Sequence, residues 1–426
     1  MLTTTRIFYF WLPLFASWLL MTAEGPLLSA VVNRLPNEVV MLAALGIVFA
    51  VEVTIEAPVI NLLSTSTALV RDRSSYLVVR LFTLHWMALL LVTATLVAFT
   101  PLFSFVVMTL LGTPPEVARW VKPGLQIMIL WTPAIGWRRF LQGVLIRFGH
   151  TRTIAVGTAL RLAGTAGTAF ALAAWSQLPG IHIFAWALLI GVLVEAAYVT
   201  WVARPVIRDL PEEAGRPLSY RRLFDFHLPL AMTAFLTLAA QPLVTFTLAR
   251  LDEPTLSLAA WPLVFQALLF LRAASLALPE VVIALSDKEG AAPALRRFTI
   301  QVTIAMTVFT ALLVLTPLLR FYLEGLQDAD PQVANRAWWG LALALPLPAL
   351  AVIVSYFQGL LIHREKTQAV NLSTALQLAV LALVLGAGLF LQAPGLPVAI
   401  VALLVSTVIQ GGYMALHLRR PTEAVA

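Results

Sequence analysis

Apolar stretches of about 20 residues, each long enough to cross a hydrocarbon core of about 30 Å, follow one another along almost the whole chain. In lipid every backbone N–H and C=O must be satisfied internally, so each stretch has to be a helix. Only 12% of the 426 residues are charged, against roughly 25% in a soluble domain. No polar segment is long enough to fold as a separate soluble domain. The fold class is all-α membrane protein, with twelve transmembrane helices near 7–32, 39–63, 77–100, 120–146, 153–175, 181–203, 224–249, 255–284, 297–319, 336–362, 367–391 and 396–417. The first stretch follows Arg6 as a secretion leader would. It runs on past Pro26 to Val32 and has a copy later in the chain, so it is read as a retained helix.

The net charge of +7 does not point to nucleic acid, because the basic residues sit in short loops between apolar runs. The termini and the loops after helices 2, 4, 6, 8 and 10 hold 18 of them: Arg6, Arg71, Arg73, Arg80, Arg147, Arg152, Arg204, Arg208, Arg216, Arg221, Arg222, Lys288, Arg296, Arg297, Arg364, Lys366, Arg419 and Arg420. The opposite loops hold six: Arg34, Arg119, Lys122, Arg250, Arg320 and Arg336. That asymmetry predicts both termini in the cytoplasm. Only three of the 28 basic residues are lysines, a compositional bias that suggests a bacterial inner membrane as the setting.

The charged segment 204–223 lies at the chain midpoint, and the two sides of it match. A shift of 216 residues aligns Phe10 with Phe226, Pro13 with Pro229, Pro26 with Pro242 and Arg34 with Arg250. Without a gap it also aligns Gln142-Gly143 with Gln358-Gly359, Thr151 with Thr367, and Thr158-Ala-Leu160 with Thr374-Ala-Leu376. Two parallel six-helix repeats follow: lobes 1–203 and 224–426 joined by a cytoplasmic linker. Pro26 and Pro242 fall deep in helices 1 and 7, where each is expected to kink its helix. A bundle of two repeats with a substrate cavity between them is a transporter architecture.

Ionisable groups inside the membrane are costly and usually face a bundle interior or a wet cavity. The basic ones are Arg138, Arg139, Arg161 and Arg272, and the acids are Glu24, Glu52, Glu56, Glu195 and Glu280. Glu52 and Glu56, four apart, share a helix face and suit a proton or monovalent-cation site. Under the 216 shift these charges do not recur: Glu24 meets Ala240, Glu52 meets Leu268, Glu195 meets Gly411, and Glu56 meets Arg272. Shared residues are read as scaffold and unshared ones as function. Glu24, Glu52 and Glu56 are therefore assigned to the coupling ion. Arg138, Arg139, Arg161 and Arg272 are assigned to an anionic substrate, which guanidinium forks suit. The competing reading pairs Glu24 or Glu56 with Arg139 or Arg161 to fix helix register.

Other chemistry lacks its residues. There is no cysteine, no P-loop and no metal-ligand spacing among the six histidines, so no catalytic centre, metal or cofactor is expected. Gly164-Thr-Ala-Gly167 suggests close helix packing. Trp11, Trp120, Trp338 and Trp339 are placed at the membrane interface.

Three stretches, Glu38-Val-Val-Met-Leu-Ala-Ala-Leu-Gly46, Pro58 and Arg71-Asp72-Arg73, resemble the progressive ankylosis proteins. So do the Pro229-Leu-Ala run, Gln241-Pro-Leu-Val244 and Ala249-Arg250. These lie within the multidrug, oligosaccharidyl-lipid and polysaccharide exporter superfamily, of MATE-like fold. The resemblance implies efflux of anionic metabolites of the citrate, pyrophosphate or nucleotide-phosphate class. It departs at two points: no Arg pair like Arg138-Arg139 is known in the animal proteins, and the helix 1 aspartate of multidrug members is missing. The expected partners are a small anionic substrate and the lipid bilayer. The alternatives are a lipid-linked oligosaccharide flippase and a cation-coupled multidrug antiporter.

Overall fold

The computed structural model describes residues 2–212, 217–286, 288–364 and 366–419. Arg216 and Arg420 of the loop count, and the side chains of Pro13, Thr151 and Thr367 of the repeat, lie outside the described residues. Each of the twelve expected helices has a counterpart. They are α1 (Thr4–Val32), α2 (Glu38–Ile60 then Leu62–Leu69), α3 (Arg73–Phe99), α4 (Pro115–Met128 then Trp131–Arg147), α5 (Thr151–Trp175) and α6 (Gly180–Arg208) in the first half. The second half holds α7 (Tyr220–Leu238 then Ala240–Leu248), α8 (Pro254–Leu271, Ala273–Leu276 and Leu278–Leu285), α9 (Ala291–Leu315), α10 (Pro331–Leu343 then Leu347–His363), α11 (Thr367–Phe390) and α12 (Gly395–Arg419). Among the described residues ten helices are long and apolar enough to cross a membrane, and α10 makes eleven if its two pieces, bent by 46°, form one span. The pieces of α4, 14 and 17 residues long, are each too short alone. This is an integral membrane protein of all-α class.

Several helices expected to be continuous are broken, and proline accounts for the breaks of α4, α7 and α10. A proline inside a helix has no N–H for the carbonyl four residues back and clashes with it. Pro133 follows the interruption of α4 at Ile129–Leu130, and Pro348 follows that of α10. Pro242 follows the interruption of α7 at Ala239. Its repeat mate Pro26 behaves differently, since α1 runs through it without interruption.

The repeat is carried by the element boundaries themselves. Starts at Thr4, Glu38, Leu62, Pro115, Trp131 and Thr151 recur 216 residues on at Tyr220, Pro254, Leu278, Pro331, Leu347 and Thr367. Left-handed backbone recurs at the same offset, Asn37 (φ 60°) with Glu253 (φ 45°) and Gly112 (φ 68°) with Asp328 (φ 52°).

Packing repeats as well, through glycines that allow helices to touch. A Cβ on Gly143 would strike the Leu63 carbonyl oxygen and lie 2.6 Å from Ser66 Cβ. A Cβ on Gly359 would lie 2.7 Å from Val282 Cβ and 3.1 Å from Pro279 Cα. Leu63 and Ser66 are the repeat mates of Pro279 and Val282. The Gln-Gly pairs therefore mark one scaffold contact made twice, α4 against the end of α2 and α10 against the end of α8.

The compact units are not the two sequence halves. One unit comprises Met1–Ala30 with Arg250–Ala426, and the other Val31–Ala249. Helix α1 thus packs with the second-half helices, and α7 with those of the first half. Each exchanged helix holds a break in its new unit. In the Val31–Ala249 unit, His227 of α7 donates from Nε2 to the Pro58 carbonyl at 2.9 Å and accepts at Nδ1 from the Thr65 hydroxyl at 2.8 Å. A carbonyl only accepts, which fixes the proton on Nε2. Asn61, at the α2 break, donates to the Leu230 carbonyl at 2.7 Å. In the other unit Trp11 of α1 donates from Nε1 to the Ala274 carbonyl at 3.1 Å. Trp11 and His227 are repeat mates, as are Pro58 and Ala274. Trp11, expected at the membrane interface, is instead buried at 7% exposure, because this bond needs it inside.

Because overpacking costs about 1–3 kcal/mol, Gly143→Ala and Gly359→Ala should each lower the unfolding temperature of the detergent-purified protein by several degrees. Gly167→Ala, where an added Cβ meets nothing within 4 Å, should leave it unchanged.

Candidate substrate and coupling site

Four helices of the Val31–Ala249 unit bring ionisable side chains together. Glu52 and Glu56 project from α2, Arg138, Arg139 and Gln142 from α4, Arg161 from α5 and Glu195 from α6. Glycines set how close these helices come. Gly164 of α5 faces Gly191 of α6, whose Cα would lie 3.5 Å from an added Cβ. A Cβ on Gly191 would strike Thr165 and approach the Arg161 carbonyl at 3.0 Å. Gly164 thus does the packing expected of it, whereas Gly167 faces open space. On the same seam a Cβ on Gly157 would reach Glu195 Cγ at 3.5 Å, and Glu195 has no exposed surface.

Arg138 and Glu195 form an ion pair in this cluster, Nη1 to Oε2 at 2.5 Å, both buried. The other oxygen of Glu195 accepts from Gln142 Nε2 at 3.0 Å. Arg138 thus takes Glu195, an acid that was given no partner from sequence. Glu52, 1% exposed, accepts from the Thr132 hydroxyl at 3.2 Å. Glu56, 7% exposed, stands in the fields of Arg139, Arg138 and Arg161, with Arg139 strongest. Glu52 feels Glu56 in turn, as two acids four apart on one helix face must.

Four buried atoms of the cluster have no hydrogen-bond partner among the described residues: Glu56 Oε2, Arg138 Nε, Arg139 Nε and Gln142 Oε1. Buried polar atoms are rarely left so. Two of them are donors and two are acceptors. Such a set can receive a ligand that accepts from guanidinium while a carboxyl nearby carries or releases a proton. The three guanidinium groups and three carboxyl groups cancel in charge only when every carboxyl is ionised. One proton taken up leaves the cluster at +1.

Glu24 and Arg272 belong to the other unit. Glu24 lies on α1 in a polar stretch. Next to it, a Cβ on Gly25 would touch Gln266 Cγ at 2.8 Å, and Ser29 donates to Gln266 Oε1 at 2.7 Å. Gln327 donates from Nε2 to the carbonyl of Pro26 at 3.0 Å. Arg272 sits at the interruption of α8, with its Nε buried and partnerless. It occupies the repeat position of Glu56, so the two halves carry opposite charge five residues ahead of the equivalent breaks at Asn61 and Ala277.

Two members of the cluster were not picked out from sequence. Glu195 was visible as a membrane acid without a second-half copy. Gln142 was hidden because its copy, Gln358, marks it as scaffold. The carboxylate that Gln142 binds has Gly411 as its mate, so one half uses a shared residue for a purpose the other half lacks.

No family model and no curated protein matches the sequence. Solved structures do match. An inward-facing multidrug resistance MATE family transporter of the MOP superfamily superimposes with a TM-score of 0.67 at 14% identity, covering 95% of this chain and 94% of the other. A MOP superfamily transporter from Pyrococcus furiosus, described as having a binding pocket of reversed polarity, gives 0.66 at 15% identity, covering 98% and 95%. The lipid II flippase MurJ in an inward closed conformation gives 0.65 at 13% identity, covering 98% and 87%. The fold is that of the MATE and MOP transporters. The likeness to progressive ankylosis proteins rests on the sequence motifs.

Removing one partner of a buried ion pair costs about 3–5 kcal/mol, because the other charge is stranded. Glu195→Gln and Arg138→Met should each reduce the folded monomer recovered by size exclusion. The double variant Arg138→Met/Glu195→Met should recover most of the loss. Equal loss in single and double variants would show that the pair is not what matters there.

Proposed function

We propose that this chain is an alternating-access secondary transporter that exports small anionic metabolites. Citrate, pyrophosphate and nucleotide phosphates are the candidate class. The observation that carries this reading is Arg139, whose Nε is buried without a partner beside two further guanidinium groups. A guanidinium fork suits a carboxylate or phosphate, and a cell interior at negative potential favours anion exit by about 2.3 kcal/mol per charge for each 100 mV. Glu52 and Glu56 are the proposed coupling groups, with a proton or monovalent cation as the ion. Glu24 is proposed as a further coupling group and Arg272 as a further substrate group, each within the Met1–Ala30/Arg250–Ala426 unit. The positive-inside count supports an inner-membrane protein with both termini in the cytoplasm, and the chemistry calls for no cofactor, metal or nucleic acid. The cargo is exported unchanged.

The neighbours in fold keep two other cargoes in view, organic cations from the multidrug transporters and a lipid-linked sugar from MurJ. Three clustered arginines argue against a cation. The neighbour with reversed pocket polarity supports the view that this fold is not tied to one charge of substrate.

The test is untargeted metabolite release from cells overexpressing the wild type, Arg139→Ala or Arg139→Lys. Among the described residues Arg139 makes no ion pair, so its loss strands no partner as loss of Arg138 would. Wild-type cells should accumulate citrate or phosphate compounds outside, and Arg139→Ala should cut that release tenfold or more, with partial recovery in Arg139→Lys. An unchanged medium would move the assignment to drug-cation efflux or lipid flipping.

A further inference from the structure

A groove of about 420 Å³ opens on the Met1–Ala30/Arg250–Ala426 unit between the starts of α1 and α9. Thr4, Thr5, Phe8 and Tyr9 line one side, and Gln301, Ala305 and Met306 the other. Both helices begin at the same level, because the Leu2 N–H donates to the Glu289 carbonyl at 3.1 Å just ahead of α9. The groove therefore has its shallow, polar end at Thr4 and Thr5. It runs past Phe8 and Tyr9 to Gln301, Ala305 and Met306, which lie deeper because α9 has already advanced ten residues by Gln301. From Thr4 to Trp11 it descends about 10 Å at 1.5 Å per residue. Tyr9 and Phe8 stand exposed on its wall, at 68% and 41%. On a membrane-spanning helix such faces meet lipid.

Charge completes the site. Arg297 stands one residue before Phe298, which lines the groove, and a helical side chain there leans back toward the start of α9. Arg6 stands in the first turn of α1. Both are exposed, and neither has a carboxylate partner among the described residues. Two arginines at the polar mouth and an apolar trough below match an anionic headgroup with one acyl chain.

We propose that this groove binds an anionic phospholipid of the leaflet at the level of the N-terminus. The headgroup phosphate takes Arg6 and Arg297, and an acyl chain lies along Phe8, Tyr9 and Ala305. The floor of the groove is Trp11, the same side chain that holds the α8 break through the Ala274 carbonyl. A lipid there packs on that lock and keeps it closed. The proposal is independent of which cargo is carried.

The test is native mass spectrometry of the purified full chain, equilibrated with equimolar phosphatidylglycerol and phosphatidylcholine. The wild type should retain one phosphatidylglycerol with roughly tenfold preference or more, since each basic residue near an anionic surface contributes appreciably to binding. Arg6→Ala/Arg297→Ala should lose the preference. Ala305→Phe, which fills the groove from an exposed position, should reduce retention of both lipids. Equal retention of the two lipids by the wild type, or undiminished phosphatidylglycerol on both variants, would overturn the assignment.

Discussion

A broken helix in a bilayer has to find partners for its backbone inside the protein, because the lipid offers none. The rest of this architecture depends on how that demand is met at the breaks of α2 and α8. Each break is held by a helix exchanged from the other sequence half: α7 with His227 on the Pro58 carbonyl, and α1 with Trp11 on the Ala274 carbonyl. One side chain is an imidazole and the other an indole, yet both present a ring N–H at the same repeat position. What the duplication preserved is the donor, not the residue. That donor requires the exchange of helices, and the exchange makes each compact unit a mixture of both halves.

With the frame fixed twice over, the chemistry is free to differ between copies. Glu56 and Arg272 occupy one repeat position and carry opposite charge. Glu195 faces Arg138 and Gln142, while its mate is a glycine. A buried ion pair is weak evidence of stability in itself, since two hydrophobic residues often do as well. The retention of three arginines and three acids in one buried cluster is better explained by a task that needs charge. In lipid such groups mark ion or substrate pathways.

Much of the fold was legible in the sequence, for physical reasons. Apolar run length gives the spans, and the 216-residue offset holds because helix starts, left-handed turns and glycine contacts all obey it. The interruptions at Ala239 and Leu130 lie three residues ahead of Pro242 and Pro133 and were readable in principle. Those at Asn61 and Arg272 were not, because nothing in the local sequence announces a carbonyl that will be held from another helix. The exchange of α1 and α7 was equally silent, since hydropathy carries no information on which helices become neighbours. At the candidate site, Glu52, Glu56, Arg138, Arg139 and Arg161 come together as their rarity in a membrane suggested. The partner of Arg138 stayed hidden, because pairing depends on helix rotation and not on spacing along the chain.

In the buried cluster of three arginines and three acids, one proton taken up leaves a net positive site for an anion. The direct measurement is proton uptake by the purified protein in weakly buffered solution as citrate or pyrophosphate is added. Binding of the anion should draw a proton from solution, and Glu52→Gln/Glu56→Gln should abolish the uptake while Arg139→Ala abolishes binding. Anion binding with no proton change in the wild type would contradict the account.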